Sequence, residues 1–185
     1  MEATETKAGA EREVLLVKEA RGGNRSAFSE LYAQYARMVH GILLARVPHT
    51  EVEDLVQEVF FRAWQQLGKL RDPATFCAWL AAIARNRAND YYRRRRDTEE
   101  ISETMAIANG TASAAEARAA LAAIQALPDT YRETLTLRLV EGLTGPEIAA
   151  ATGLTHESVR VNLHRGMKLL RERLSGSANV VKEGT

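Results

Sequence analysis

Apolar positions recur every three or four residues along most of the chain, and no β-branched stretch shows the period-two alternation of a half-buried strand. The run "EVLLVKEARGGNRSAFSELYAQYARMVHGILLARV" predicts a short amphipathic helix, a break at Gly22 and Gly23, and a longer helix entered near Ser26. In "PHTEVEDLVQEVFFRAWQQL", Thr50 and Glu53 have capping-box spacing, ahead of a stripe formed by Val52, Leu55, Val59, Phe60, Ala63 and Trp64. "GKLRDPATF" interrupts the period, and Asp72 followed by Pro73 starts another helix that runs to a cluster of arginines. Residues 97–115 lose the period altogether and read as a linker. Beyond them an Ala-rich helix reaches Leu127, Pro128 and Asp129 restart the chain, and two shorter units follow before a frayed tail over 176–185. The expected fold is all-α: helical domains over 11–96 and 116–175, joined by a flexible acidic linker.

The second block carries the sharpest local pattern. In "LTGPEIAAATGLTHESVRVNLHRGMKLLRERL", Thr144 and Glu147 form a capping box, Ile148, Ala149 and Ala151 are compact and apolar, Gly153 ends the helix and Thr155 caps the next. This is the syntax of a helix-turn-helix. On its second helix Val159, Leu163, Gly166, Leu170 and Leu174 must face inward. Glu157, Arg160, Val161, His164, Lys168 and Arg171 lie opposite, bordered by Ser158 and Arg165. The first residues of such a face reach base edges in a major groove, and later basic ones meet phosphates. Five bases against two acids over 155–173 favour DNA over a plain solvated face.

Winding residues 76–96 at 100° per residue puts Phe76, Trp79, Leu80, Ile83 and Tyr91 on a core stripe. Arg85, Asn89, Tyr92 and Arg96 fall opposite, with Asn86 and Arg93 at the edge; Arg87 and Asp90, three apart, read as a structural ion pair. Guanidinium charge, amides and one aromatic ring on a single face suit unstacked bases and their backbone. Four consecutive arginines exceed what helix capping needs.

Charge sharpens this division, although the net charge is only +1. Six arginines and one acid lie between Arg85 and Arg96, five acids and no base between Asp97 and Glu116, and four acids and no base between Thr50 and Glu58. Asp54, Gln57 and Glu58 point away from the apolar stripe, either toward a basic protein partner or simply into water. Single Cys77 excludes an internal disulfide and reads as an inert, small core-side residue. No histidine has a second ligand at metal spacing, and no activated nucleophile, paired carboxylates or phosphate-cradling loop appears. A catalytic role, a cofactor, a metal and a small-molecule substrate are therefore not expected. With no apolar signal segment and no 18-residue apolar run, a cytoplasmic chain without membrane insertion is expected.

In order, "AFSELYAQYARMV", "DLVQEVFFRAW" and "FCAWLAAIARNRANDYYRRRR" resemble the second conserved region of bacterial sigma factors of the extracytoplasmic-function group. The stretch from "ALPDTYRETLTLRLVEG" to "RERL" resembles the fourth. The resemblance implies an alternative sigma factor that joins core RNA polymerase and directs promoter recognition and DNA opening. It implies polymerase docking through Asp54, Leu55, Gln57, Glu58 and Phe60. It puts Asn86 near the minus-ten element, with Lys69 and Arg71 in a base-capturing loop beside Arg85, Asn89, Tyr92, Arg93 and Arg96. Thr155, Glu157, Ser158, Arg160, Val161, His164, Arg165 and Lys168 would meet the minus-thirty-five element as duplex. The family also implies an anti-sigma partner. Gly145 and Pro146 depart from the larger polar or aromatic pair of many relatives. Two other readings stand beside it: an autonomous helix-turn-helix regulator on a palindromic site, and an arginine-rich module for RNA or anionic membrane.

Overall fold

The computed structural model describes residues 2–98 and 112–182, with side chains over 9–94 and 117–175; all regular structure among them is helical. Helix α1 (Glu2–Arg21) buries Leu16, Val17 and Ala20 against α2 (Arg25–Leu44). The joint turns at Gly23, whose φ of +91° a side chain would resist. The α2 cap is Asn24, not Ser26: its Oδ1 accepts from Ser26 N at 3.0 Å and Ala27 N at 3.2 Å, so the helix opens earlier than its apolar period suggests.

Helix α3 (Val52–Gln66) departs from expectation at its start. A 3-10 turn over His49–Glu51 feeds straight into it, the Thr50 hydroxyl is turned to Glu51 Oε1, and no side chain caps the first turn. Thr50 is thus spent one turn too early to cap. The apolar face is nevertheless the expected one, gaining Val56. Asp72 does cap as expected, accepting from Ala74 N at 3.0 Å and opening a 3-10 turn that runs into α4 (Phe76–Thr98). Among the described residues no helix is long and apolar enough to cross a membrane.

The C-terminal half comprises α5 (Ala112–Gln125), α6 (Asp129–Leu139), α7 (Gly145–Thr152) and α8 (His156–Lys182). The Thr144–Glu147 capping box forms, with Thr144 N donating to Glu147 Oε2 at 2.7 Å, and Gly153 ends α7 at φ +72°. Thr155 Oγ1 accepts from Ser158 N at 3.1 Å and starts α8, which continues to Lys182 through residues read as tail. Gly166 lets α8 cross α6 closely, since a Cβ there would lie 3.0 Å from Leu135 Cδ1. Leu174 is exposed, against expectation. The 11 residues of α6 span about 16 Å, too short to cover a 27-residue helix of about 40 Å.

The halves do not stand apart. Helix α6 packs on α2 and α7 on α4, so that Leu137, Leu143, Ile148 and Val159 join Leu31, Ile42, Phe76 and Leu80 in one continuous apolar core. Gly41, in the last turn of α2, marks the closest approach: a Cβ there would sit 2.7 Å from Glu141 Cγ and 2.9 Å from Leu137 Cδ2. A glycine within a helix costs up to about 1 kcal/mol relative to alanine. Here it is the contact with α6 that needs the gap. Gln125 Nε2 from α5 donates to Leu44 O at 2.8 Å, satisfying a carbonyl left over at the end of α2.

Truncating Leu137, which is fully buried, is expected to lower the unfolding free energy by about 2–5 kcal/mol. Urea denaturation of Leu137→Ala checks this, and a loss below about 1 kcal/mol would mean that the side chain is not packed as described.

Candidate nucleic-acid interfaces and the face of α3

Three surfaces carry the residues singled out from sequence. On α3, Asp54, Gln57 and Glu58 are exposed, whereas Leu55 and Phe60 are buried and support them from below. Phe60 packs its ring 4.4 Å from that of Tyr32. Sequence reading missed Phe61, which is 63% exposed. The signal was available: Phe61 follows Asp54 by seven and Gln57 by four, so it shares their face, and only one ring of the Phe60–Phe61 doublet can enter the core. Glu58 is not simply free, because buried Arg87 of α4 donates to it and to Asp90 Oδ2 at 3.5 Å. The expected Arg87–Asp90 pair therefore extends into a brace between α3 and α4.

The face proposed from winding α4 divides in two. Asn86, Asn89 and Arg93 form an exposed stripe at helical spacing, with Arg93 Nη2 donating to Asp90 Oδ1 at 2.7 Å. Arg85 and Tyr92 turn the other way. Tyr92 Oη donates to Arg46 O at 2.7 Å at the end of α2. In the loop before α4, exposed Lys69 and Arg71 flank Leu70, which is buried and anchors them. The side chain of Arg96 lies outside the described residues.

Arg85 is one of several residues that link the two halves. Its Nη2 donates at 2.6 Å both to Glu133 Oε1 of α6 and to the Ala151 carbonyl of α7. The second oxygen of Glu133 accepts from Arg46 Nη2 at 2.6 Å. Burial alone would raise the Glu133 pKa, but hydrogen bonds and charge from Arg85 and then Arg46 outweigh it and hold the carboxyl below its ordinary value. Nearby, His40 Nδ1 lies 2.6 Å from Glu141 Oε1, and its Nε2 3.7 Å from Glu53 Oε1. The bond to Glu141 raises the His40 pKa despite burial.

The outer face of α8 is open. Thr155, Glu157, Arg160, His164, Arg165 and Lys168 are exposed; Ser158, at the border of the face, is half-buried, and so is Val161, which was expected on the face itself. Arg160 and Glu157 approach only to 3.9 Å, both about 80% exposed, a contact too weak to hold the guanidinium back. Cys77, beside a cleft of about 720 Å³ between α1, α2 and the α6–α7 turn, lies 3.6 Å from Met38 Sδ. Burial pushes its thiol up to about 12, in keeping with an unreactive side chain.

Residues 31–98 match the family described as Sigma-70 region 2, and residues 117–170 match Sigma-70, region 4. The chain is 33% identical over 168 residues to the probable RNA polymerase sigma factor RfaY of Xanthomonas campestris pv. campestris, covering 84% of this chain but only 42% of that longer protein. It is 32% identical over 161 residues to RNA polymerase sigma factor CarQ of Myxococcus xanthus, covering 83% of this chain and 92% of CarQ. Among solved structures, CnrH in complex with the cytosolic domain of CnrY is similar at 28% identity and a TM-score of 0.65, over 89% of this chain and 98% of CnrH. CnrH is an RNA polymerase sigma factor of Cupriavidus metallidurans.

The two charge clusters between the halves, Glu133 with Arg46 and Arg85 and His40 with Glu141, give opposite pH slopes. The depressed pKa of Glu133 contributes stability above its ordinary value of 4.5, lost as pH falls through the folded pKa. The raised pKa of His40, facing Glu141 and Glu53, contributes fully below 6.5 and is lost as pH rises through the folded pKa. Thermal melting is expected to peak between about pH 4.5 and 6.5, the acid limb flattening in Glu133→Gln and the alkaline limb in His40→Asn. A profile that neither substitution alters would rule these pairs out as its cause.

Proposed function

This chain belongs to the sigma-70 family, in its extracytoplasmic-function group, and on that premise we propose how its surfaces divide the work of initiation. Its two matched regions are those of an alternative sigma factor, which directs promoter recognition with core RNA polymerase. The observation that carries the reading is the pairing, in one chain, of region 2 with a region 4 whose α8 presents an exposed basic face.

The α3 face docks on core polymerase. Asp54, Gln57 and Glu58 supply acidic and amide contacts, Phe61 an aromatic anchor of the kind that dominates interface energies, and Leu55 and Phe60 the rigid support beneath. The Arg87 brace holds Glu58 in register with α4. Asn86, Asn89 and Arg93, with Lys69 and Arg71 from the loop and Arg85, Tyr92 and Arg96 along the helix, take the minus-ten strand once it is unpaired. Thr155, Glu157, Ser158, Arg160, Val161, His164, Arg165 and Lys168 read the minus-thirty-five element as duplex, with Arg160 nearest the base edges. The domain limits we assign are 11–96 and 116–175, with 97–115 as the tether between them; α4 runs into that tether as far as Thr98 and α5 begins within it at Ala112, while 99–111 lie outside the described residues. The chain supplies no catalytic group, the chemistry staying with the polymerase, and it works in the cytoplasm. We extend to this chain an anti-sigma partner that covers these surfaces; that the similar CnrH forms a complex with the cytosolic domain of CnrY supports a protein partner of this kind.

Size-exclusion chromatography with purified core polymerase tests the central assignment: the chain is expected to co-elute at moderate salt, and Phe61→Ala to weaken that complex. Separate elution of the unmodified chain would defeat it. Arg160→Ala is expected to cost roughly 1–3 kcal/mol at the upstream element in a sequence-dependent way. Asn86→Ala is expected to impair promoter opening, read by permanganate footprinting, with core binding intact. Loss of core binding alone in both variants would show that the surfaces have been misassigned.

A further inference from the structure

One buried cation serves two of the surfaces assigned above. Arg87 of α4 is only 2% exposed. It donates to Glu58 on the α3 face, and its Nη1 lies 3.5 Å from Asp90 Oδ2. The other oxygen of Asp90 accepts from Arg93 Nη2 at 2.7 Å. Glu58, Arg87, Asp90 and Arg93 thus form a row of alternating charge that runs from the α3 face to the exposed stripe of α4.

The row is least balanced at its middle. Arg87 Nε is buried without a hydrogen-bond partner, and burial, followed by the charge of Arg94, lowers the Arg87 pKa while Asp90 opposes both. Such a cation depends on each of its two anions, because a buried charge whose partner is removed is costly. Those anions are not equally placed. The Glu58 side chain is 49% exposed and lines a cleft of about 350 Å³ whose α3 wall also carries Glu51 and Asp54, so a basic group from outside can take it. Asp90 is only 22% exposed and stays beside Arg87.

Once Glu58 is taken, Arg87 keeps its charge and turns its fork to Asp90, the other acid it pairs with. Asp90 is then neutralised by a buried guanidinium in a medium of low dielectric. Its hold on Arg93, whose side chain is 74% exposed, is the screened and weaker of the two, and it loosens. A loosened Arg93 is a cation available to the phosphates of a single strand.

We infer that Arg87 is a positioning residue shared by the two surfaces, a buried fork that passes the occupancy of Glu58 to Arg93 through Asp90. The inference rests on the assignment of α3 to polymerase docking and of the α4 stripe to unpaired DNA.

Glu58→Gln removes the charge that a docked cation would neutralise. Fluorescence anisotropy of the full-length variant with a short mixed-sequence single-stranded oligonucleotide is expected to show about threefold tighter binding, the scale of one exposed ion pair released. The logarithmic salt dependence is expected to steepen by about 0.7, as for one added phosphate contact. Glu51→Gln makes the same change of charge in the same cleft, away from the Arg87 ion pairs, and is expected to stay within about 1.5-fold at physiological salt. Asp90→Asn releases Arg93 by a second route, so it gives the same gain, and Glu58→Gln adds nothing to it. Arg87→Lys keeps the charge but lacks the fork that bridges two acids, and in that background the Glu58→Gln gain is expected to vanish. Circular dichroism checks that each variant is folded; the comparison of Glu58→Gln with Glu51→Gln decides alone where the others are not. Equal gains from those two, additive gains from Glu58→Gln and Asp90→Asn, or a Glu58→Gln gain that survives Arg87→Lys would each overturn the relay. Failure of the underlying assignment looks different: Arg93→Ala would then leave single-strand affinity unchanged.

Discussion

Glu133 accepts hydrogen bonds from Arg46 and Arg85 on its two carboxylate oxygens, and the placement of everything from α5 onward depends on that bridge. A carboxylate only 7% exposed is stable as a charge only if both oxygens are occupied, and both donors come from the other half of the molecule. The bridge is not perfect. Arg46 Nε is buried without a partner among the described residues, a polar group that would be hydrated if the halves parted. Apolar burial favours closure and this residual desolvation opposes it, which makes the arrangement one that binding partners can shift.

Much of the C-terminal half was legible because its signals are local. The Thr144–Glu147 box, Gly153 in the left-handed region and the Thr155 cap each require residues within four positions of one another, and all three form. The apolar stripes of α3 and α4 were legible for the same reason. The expected cap at Thr50 failed because spacing does not reveal that a 3-10 turn will precede the helix. Leu174 was placed inside by periodicity, but how much of α8 is covered depends on the length of α6, a tertiary fact.

The functional surfaces were only partly legible, for a related reason. Winding α4 correctly put Arg85 away from the core of its own half, but nothing local says that a carboxylate 48 residues later will meet it. Tyr92 was likewise read as outward, and its hydroxyl donates to a carbonyl 46 residues earlier. Phe61 is the opposite case, an exposed ring that the pattern allowed and the reading overlooked in favour of its buried neighbour. Single-helix arguments find faces. They do not say which faces are already taken.

The shared core has one more consequence. Leu137, Leu143 and Ile148 pack in a cluster that also contains the apolar side of α2, so separating the halves leaves greasy surface on each. An opened chain alone in solution is therefore prone to self-association, and it gains by finding a large protein surface before it finds another copy of itself.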